Sequence, residues 1–222
     1  MIRVIPEYFE TVIEISEDQP VELVIENPKV FREFISDIYC QTQGKEGKVI
    51  ISEDNAIKKI SVFAELCISY PGITVEDKKI STKINSLLET EALNEENYIK
   101  TMELIGRVEN YFSEMTALFP FEVLSGGLDT LSLIKACSFN ACDNSYSLGE
   151  KLCNYLSVVS DLFGEKLFVL VNMEAYADEH EMNDFIDTCI SHKYHVLLVS
   201  GWSNYRLKNI KKIVVDRDLC VI

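Results

Sequence analysis

Leu167-Phe168-Val169-Leu170-Val171, closed by Asn172, is the stretch whose reading decides the fold. Five successive apolar residues, rich in β-formers, predict a strand buried on both faces. Asp178 and Glu181, three residues apart, have the spacing of an N-cap and N3 pair, and Met182, Phe185, Cys189 and Ile190 give the helix they open one apolar face. Val196-Leu197-Leu198-Val199 predicts a second buried strand, ended by Ser200 and Gly201. Strand, helix and strand in that order make a βαβ unit. The expected sheet is therefore parallel, with ligands at the carboxyl ends of its strands.

Toward the amino terminus, Ile2–Ile5 and Thr11–Ile15 read as short strands. Val21–Ile25 reads as a third, with Glu22 and Glu26 suggesting one wet face. Asn27 and Pro28 open a helix whose buried stripe is Val30, Phe31, Phe34, Ile35 and Ile38. Lys48–Ile51 is a strand after the turn bracketed by Gly44 and Gly47, and the alternation through Val62, Ala64, Leu66 and Ile68 predicts a strand over 61–68. From Asp77 the period changes. Ile80, Ile84, Leu87 and Leu88, then Ile99, Met102, Ile105, Val108, Phe112 and Met115, keep helical spacing around a polar joint at Asn94–Asn97. The expected organisation is an α/β head, residues 1–76 and 120–222, with an inserted α-helical leg over 77–119. Leu128–Ala136 predicts a short helix, and Ser147 with Glu150 a capping box for the helix that leads back to Leu167.

At 222 residues and 47% hydrophobic content, the chain can bury one good core and a small appendage. Its seven cysteines are odd in number and form no C-x-x-C pair, which suits reduced thiols in a cytoplasmic protein better than disulfides or a zinc site. No run approaches the ~18 apolar residues of a membrane span, and the acidic amino terminus is not read as a signal peptide. The net charge of −15 argues at face value against nucleic acid. Its distribution matters more. Residues 151–222 carry 8 basic and 10 acidic side chains, against 6 and 14 over 60–150, and Arg206, Lys208, Lys211 and Lys212 fall within seven residues.

A sheet of this kind often hosts a nucleotide. The nearest approach to a phosphate-cradling loop, Gln43–Val49, has too few residues between its glycines and Val49 where a hydroxyl is needed. Asn172 stands where a metal-holding Asp would end the strand, so working ATP hydrolysis is not expected. His192 and His195 are close enough to share a metal but lack an obvious third ligand. Glu109, Glu114, Glu122 and Asp129 offer hard oxygen ligands of the kind calcium takes.

Lys166–Tyr176, Val196–Val199, the terminal Ile213–Ile222 and the Leu131-Ser-Leu-Ile-Lys-Ala136 segment together resemble the Csn-two family of type II-A CRISPR adaptation proteins. The resemblance implies a P-loop-like sheet head without a working Walker motif, plus the helical leg. It also implies no enzymatic activity. It implies a homotetrameric ring that takes calcium and threads double-stranded DNA by its ends, independently of sequence. The implied role is spacer acquisition in antiviral defence, beside the CRISPR adaptation nucleases and the RNA-guided effector nuclease. Such a ring can gather scarce cations on its inner wall while the exterior stays acidic. The DNA-contact residues expected are Lys135, in the matching L-x-L-I-K-A motif, with Arg206, Lys208, Lys211 and Lys212. For calcium, the matching stretch Phe121–Asp129 retains Glu122 and Asp129. The alternatives are a divergent P-loop-type phosphohydrolase and a scaffold that binds only protein.

Overall fold

The computed structural model describes residues 1–145 and 147–222. Two compact units divide the chain: residues 1–74 with 144–222, and residues 75–143. In chain order the elements are β1 (Ile2–Pro6), β2 (Ile13–Ile15), β3 (Val21–Ile25), α1 (Pro28–Thr42), β4 (Val49–Glu53), β5 (Ala56–Lys58), α2 (Ile60–Phe63) and β6 (Ala64–Cys67). The second unit follows with α3 (Lys78–Ala92), α4 (Tyr98–Thr116) and α5 (Thr130–Ala136). The chain returns through α6 (Leu148–Phe163), β7 (Leu167–Val171), α7 (Glu179–Ser191), β8 (His195–Ser200) and β9 (Lys211–Val215). One-turn 3₁₀ segments lie at Tyr70–Gly72 and Met173–Ala175.

The first unit holds two sheets. One is antiparallel, in the order β2-β1-β4-β5; the other is wholly parallel, in the order β6-β7-β8-β3-β9. The expected βαβ unit is present, with Leu167 opposite His195 and Val171 opposite Val199. All five residues of β7 and all six of β8 are buried, which is why neither shows the alternation of a one-sided strand. Odd-numbered residues Leu23, Val169, Leu197 and Ile213 share a core with Phe34 and Ile38 of α1 and with Ile2, Ile15 and Ile51 of the antiparallel sheet. Even-numbered Phe168, Leu170, Val196 and Leu198 face the other way, toward the cover supplied by the buried stripes of α6 (Leu152, Leu156, Val159) and α7 (Met182, Phe185, Ile186, Cys189). Each such fully buried side chain contributes roughly 1.5–3 kcal/mol relative to exposure.

Local chemistry sets the helix starts. The Asn27 side chain accepts from the backbone N–H groups of Lys29 and Val30 with Pro28 in the first turn. Complete capping boxes open α6 (Ser147, Glu150) and α7 (Asp178, Glu181).

Four expectations change. Val21–Ile25 has no wet face: β3 lies between β8 and β9 and is buried throughout, with Glu22 only 4% exposed. Residues 61–68 divide, with a single helical turn preceding the shorter strand β6. The chain makes an extra hairpin, β4–β5, through Asp54 and Asn55, both at positive φ as a two-residue type I′ turn requires. The helical unit extends to Asp143 rather than ending at 119, because α5 packs on α3 and keeps residues 120–143 with the helices.

Candidate functional site

The basic run near the carboxyl terminus lies on a loop and a strand start, not on a helix end. After Ser200 the backbone is irregular to Ile210, and β9 begins at Lys211. Lys208 donates its backbone N–H to Asn183 Oδ1 at 2.7 Å, and Asn209 Nδ2 donates to Asp187 Oδ1 at 2.9 Å. Both acceptors are on α7, so the loop is pinned to it. The side chains of Arg206, Lys208 and Lys211 are exposed, and among the described residues none of the three has a carboxylate within ion-pair distance. Unpaired, exposed cations of this kind are the ones that can meet phosphates.

Lys212 is different. Its Nζ lies 3.2 Å from Glu22 Oε2 and donates to Ser203 Oγ at 3.1 Å. The carboxylate it neutralises is buried in the parallel sheet, on the residue register-paired with Lys212 itself. Nearby, burial pushes the Glu174 carboxyl above the usual carboxylate range and the charge on Glu22 adds to that rise, while Ser200 and Lys212 oppose it. This polar group stands at the carboxyl ends of β7 and β8, where a parallel sheet presents its ligand crevice. Lys212 is committed to holding that group together.

In the helical unit, Lys135 sits exposed in the last turn of α5. Asp129 is the N-cap of the same helix. Its Oδ1 accepts from the Ser132 backbone N–H at 2.8 Å and its Oδ2 from the Ser132 hydroxyl at 2.6 Å, and those bonds hold its carboxyl below the usual range. Glu122 is exposed on the loop before it. Glu109 Oε1 accepts from the Leu128 N–H at 2.8 Å and so ties that loop to α4. Calcium needs six to eight converging oxygens. With both Asp129 oxygens engaged in capping, and with no three-donor group in the described part of this unit, Glu122 and Asp129 do not fit a calcium cage.

The Gly44–Lys48 candidate follows α1 and precedes β4 of the antiparallel sheet, which is the wrong context for a phosphate loop between strand and helix. In the parallel sheet the strand-to-helix turn after β3 is only Glu26-Asn27. Asn27 itself accepts the two N–H groups that a phosphate would use there. The two histidines also part company. His192 is exposed and stacked on Tyr194, whereas His195 is 3% exposed and turns toward Glu165.

A family model described as CRISPR-associated protein (Cas_Csn2) matches residues 41–219. The chain belongs to that family. Among solved structures, Stu0660 of Streptococcus thermophilus matches with a TM-score of 0.57 and 16% identity, over 91% of this chain and 68% of that one. At this identity the match speaks for the fold, a mixed α/β arrangement of parallel and antiparallel sheets with helices. No curated protein sequence matches. The L-x-L-I-K-A helix and the apolar strands β7 and β8 lie inside the matched span. Among the described residues no helix is long and apolar enough to cross a membrane.

Proposed function

We propose that this Cas_Csn2 member binds the ends of linear double-stranded DNA without reading sequence, as a homotetrameric ring that supports spacer acquisition. The observation that carries the reading is the contrast within one basic segment. Arg206, Lys208 and Lys211 are exposed and carry no ion pair among the described residues, in a protein whose net charge is −15. A few cations left unneutralised on so acidic a chain favour a shared, enclosed binding surface, where copies add their charges and salt screens less. Contacts from Lys and Arg to phosphates give affinity with no dependence on base sequence, which suits a protein that accepts any fragment. Lys135 on α5 is the further contact on the helical unit.

The parallel sheet acts in this reading as a P-loop-like head used as scaffold. Asn27 capping α1 and Asn172 closing β7 support a role without nucleotide hydrolysis. Binding is routed through side chains alone and assigns no step to calcium. The adaptation nucleases and the effector nuclease are the partners, and the cytoplasm is the place of action.

A salt titration of duplex binding tests the reading. Lys211→Glu and Lys135→Glu should each weaken binding several-fold at moderate salt and lower the slope of log affinity against log salt by about 1 per contact removed. Unchanged slopes in both variants would remove these side chains from the interface.

A further inference from the structure

Two turns and the start of a strand meet at the amino ends of β7 and β8. The tight turn between β2 and β3, closed by the Ser16–Gln19 bridge, carries Glu17. The turn between α6 and β7, which passes through Gly164 at positive φ, carries Glu165. His195 opens β8 and is 3% exposed, with Nδ1 3.2 Å from Glu165 Oε1. One ligand atom from each of Glu17, Glu165 and His195 lies within 4.8 Å of the other two. A third carboxylate, Glu53 at the end of β4, faces Glu165, and its Oε1 is buried with no hydrogen-bond partner.

We propose that Glu17, Glu165 and His195 form a site for a divalent first-row transition-metal cation, with Mn²⁺ and Zn²⁺ as the ions it takes. The donor set is one imidazole nitrogen with carboxylate oxygens, which suits these ions and not calcium, whose sites are built from oxygens alone. The 3.2 Å between Nδ1 and Oε1 is close to the separation of two ligands that share one ion at bonds of about 2.1 Å. Glu165 is 52% exposed and Glu17 46%, so both can swing in to close the remaining distance while the buried imidazole stays fixed.

The charge balance points the same way. Glu17, Glu53 and Glu165 bring three carboxylates together. The ammonium on Glu17 is that of Lys193, 3.7 Å away on a side chain 69% exposed, and Lys58 is held by the other oxygen of Glu53. His195 Nδ1 and Glu165 Oε1 face each other 3.2 Å apart. A cation bound at Nδ1 leaves the imidazole as its Nε2–H tautomer and gives the crowded carboxylates a common counter-charge. Glu53, from the antiparallel sheet, is then positioned to orient Glu165 and to accept a hydrogen bond from metal-bound water. The site is wholly within the first unit, and its test does not depend on DNA binding.

The test uses full-length protein stripped with chelator and titrated with MnCl₂, free ion being followed by its paramagnetic resonance signal. Mn²⁺ is the primary probe because the seven free thiols compete for Zn²⁺ far better than for Mn²⁺. One equivalent should bind, Zn²⁺ should displace it, and equal Ca²⁺ should not. Glu17→Gln and Glu165→Gln change exposed side chains and so leave the fold intact. Each should weaken Mn²⁺ binding about tenfold or more, while Glu10→Gln, outside the cluster, leaves it unchanged. Saturating Mn²⁺ should raise Tm in the wild type but not in the two cluster variants. Absence of Mn²⁺ binding, or binding that survives both substitutions, would overturn the proposal.

Discussion

Lys212 Nζ stands 3.2 Å from Glu22 Oε2, so a cation from the basic segment neutralises a carboxylate sunk in the middle of the parallel sheet. Removing the cation leaves that carboxylate buried and unpaired, which costs more than the pair itself gains. Lys212→Met should therefore lower stability by roughly 2–3 kcal/mol in urea unfolding, and adding Glu22→Gln should recover most of the loss. Lys211→Met, one residue away on an exposed side chain, should change stability by less than about 0.5 kcal/mol. Equal effects of the two lysine substitutions would contradict this division of labour.

Glu174 gives the fold a pH signature. Burial and the Glu22 charge raise its folded-state pKa above the unfolded value, so the folded protein holds its proton more tightly than the unfolded chain. This carboxyl therefore destabilises the fold when charged, and the penalty is relieved as pH falls through the folded pKa toward the ordinary Glu value. Glu174→Gln should raise Tm at pH 7, and the difference from wild type should close as pH approaches about 4.5. A difference that stays constant over that range would assign the effect to packing instead.

The thiols should separate by exposure. Cys137, Cys142 and Cys220 are exposed, while Cys67 and Cys189 are buried. Burial pushes the Cys67 thiol up to about 12, with the Glu65 charge adding to it, and it also raises Cys189. At pH 8 an aromatic disulfide reagent should modify the three exposed cysteines quickly and leave Cys67 and Cys189 untouched until denaturant is added. Rapid modification of Cys67 or Cys189 in native protein would contradict the packing of β6 and α7.

Asp129 anchors α5 through both of its carboxylate oxygens. Asp129→Ala should destabilise the helical unit through loss of its N-cap, and added calcium should not change that difference. A calcium-dependent stabilisation that disappears in the variant would return this residue to the list of metal ligands.

Much of the fold was legible because its signals are local. Five apolar residues rich in β-formers before Asn172 read as a buried strand, and Ser147/Glu150 and Asp178/Glu181 carry their capping chemistry within four residues. Pairs remote in sequence were not legible. Glu22 looked like the wet side of a strand because its counter-ion, Lys212, lies 190 residues away and reaches it only once β9 pairs with β3. The metal-type cluster had the same difficulty, since Glu17 and Glu165 come from two separate turns and His195 from the start of β8, and the nearer histidine, His192, was the wrong partner. The β4–β5 hairpin was different: Asp54-Asn55 is a recognisable two-residue turn, and only the shortness of Ala56-Ile57-Lys58 concealed the strand after it. The extent of the helical unit was missed because Phe119-Pro120-Phe121 marks a local break, whereas the packing of α5 on α3 is a tertiary fact.

The central claim is that copies of this acidic chain enclose broken DNA ends with a few unpaired cations, and a retention assay on two forms of one plasmid tests it most directly. At moderate salt the protein should retain the linearised plasmid strongly and the covalently closed circle weakly, and Arg206→Glu with Lys211→Glu should abolish the difference. Equal retention of linear and closed forms by the wild-type protein would contradict it.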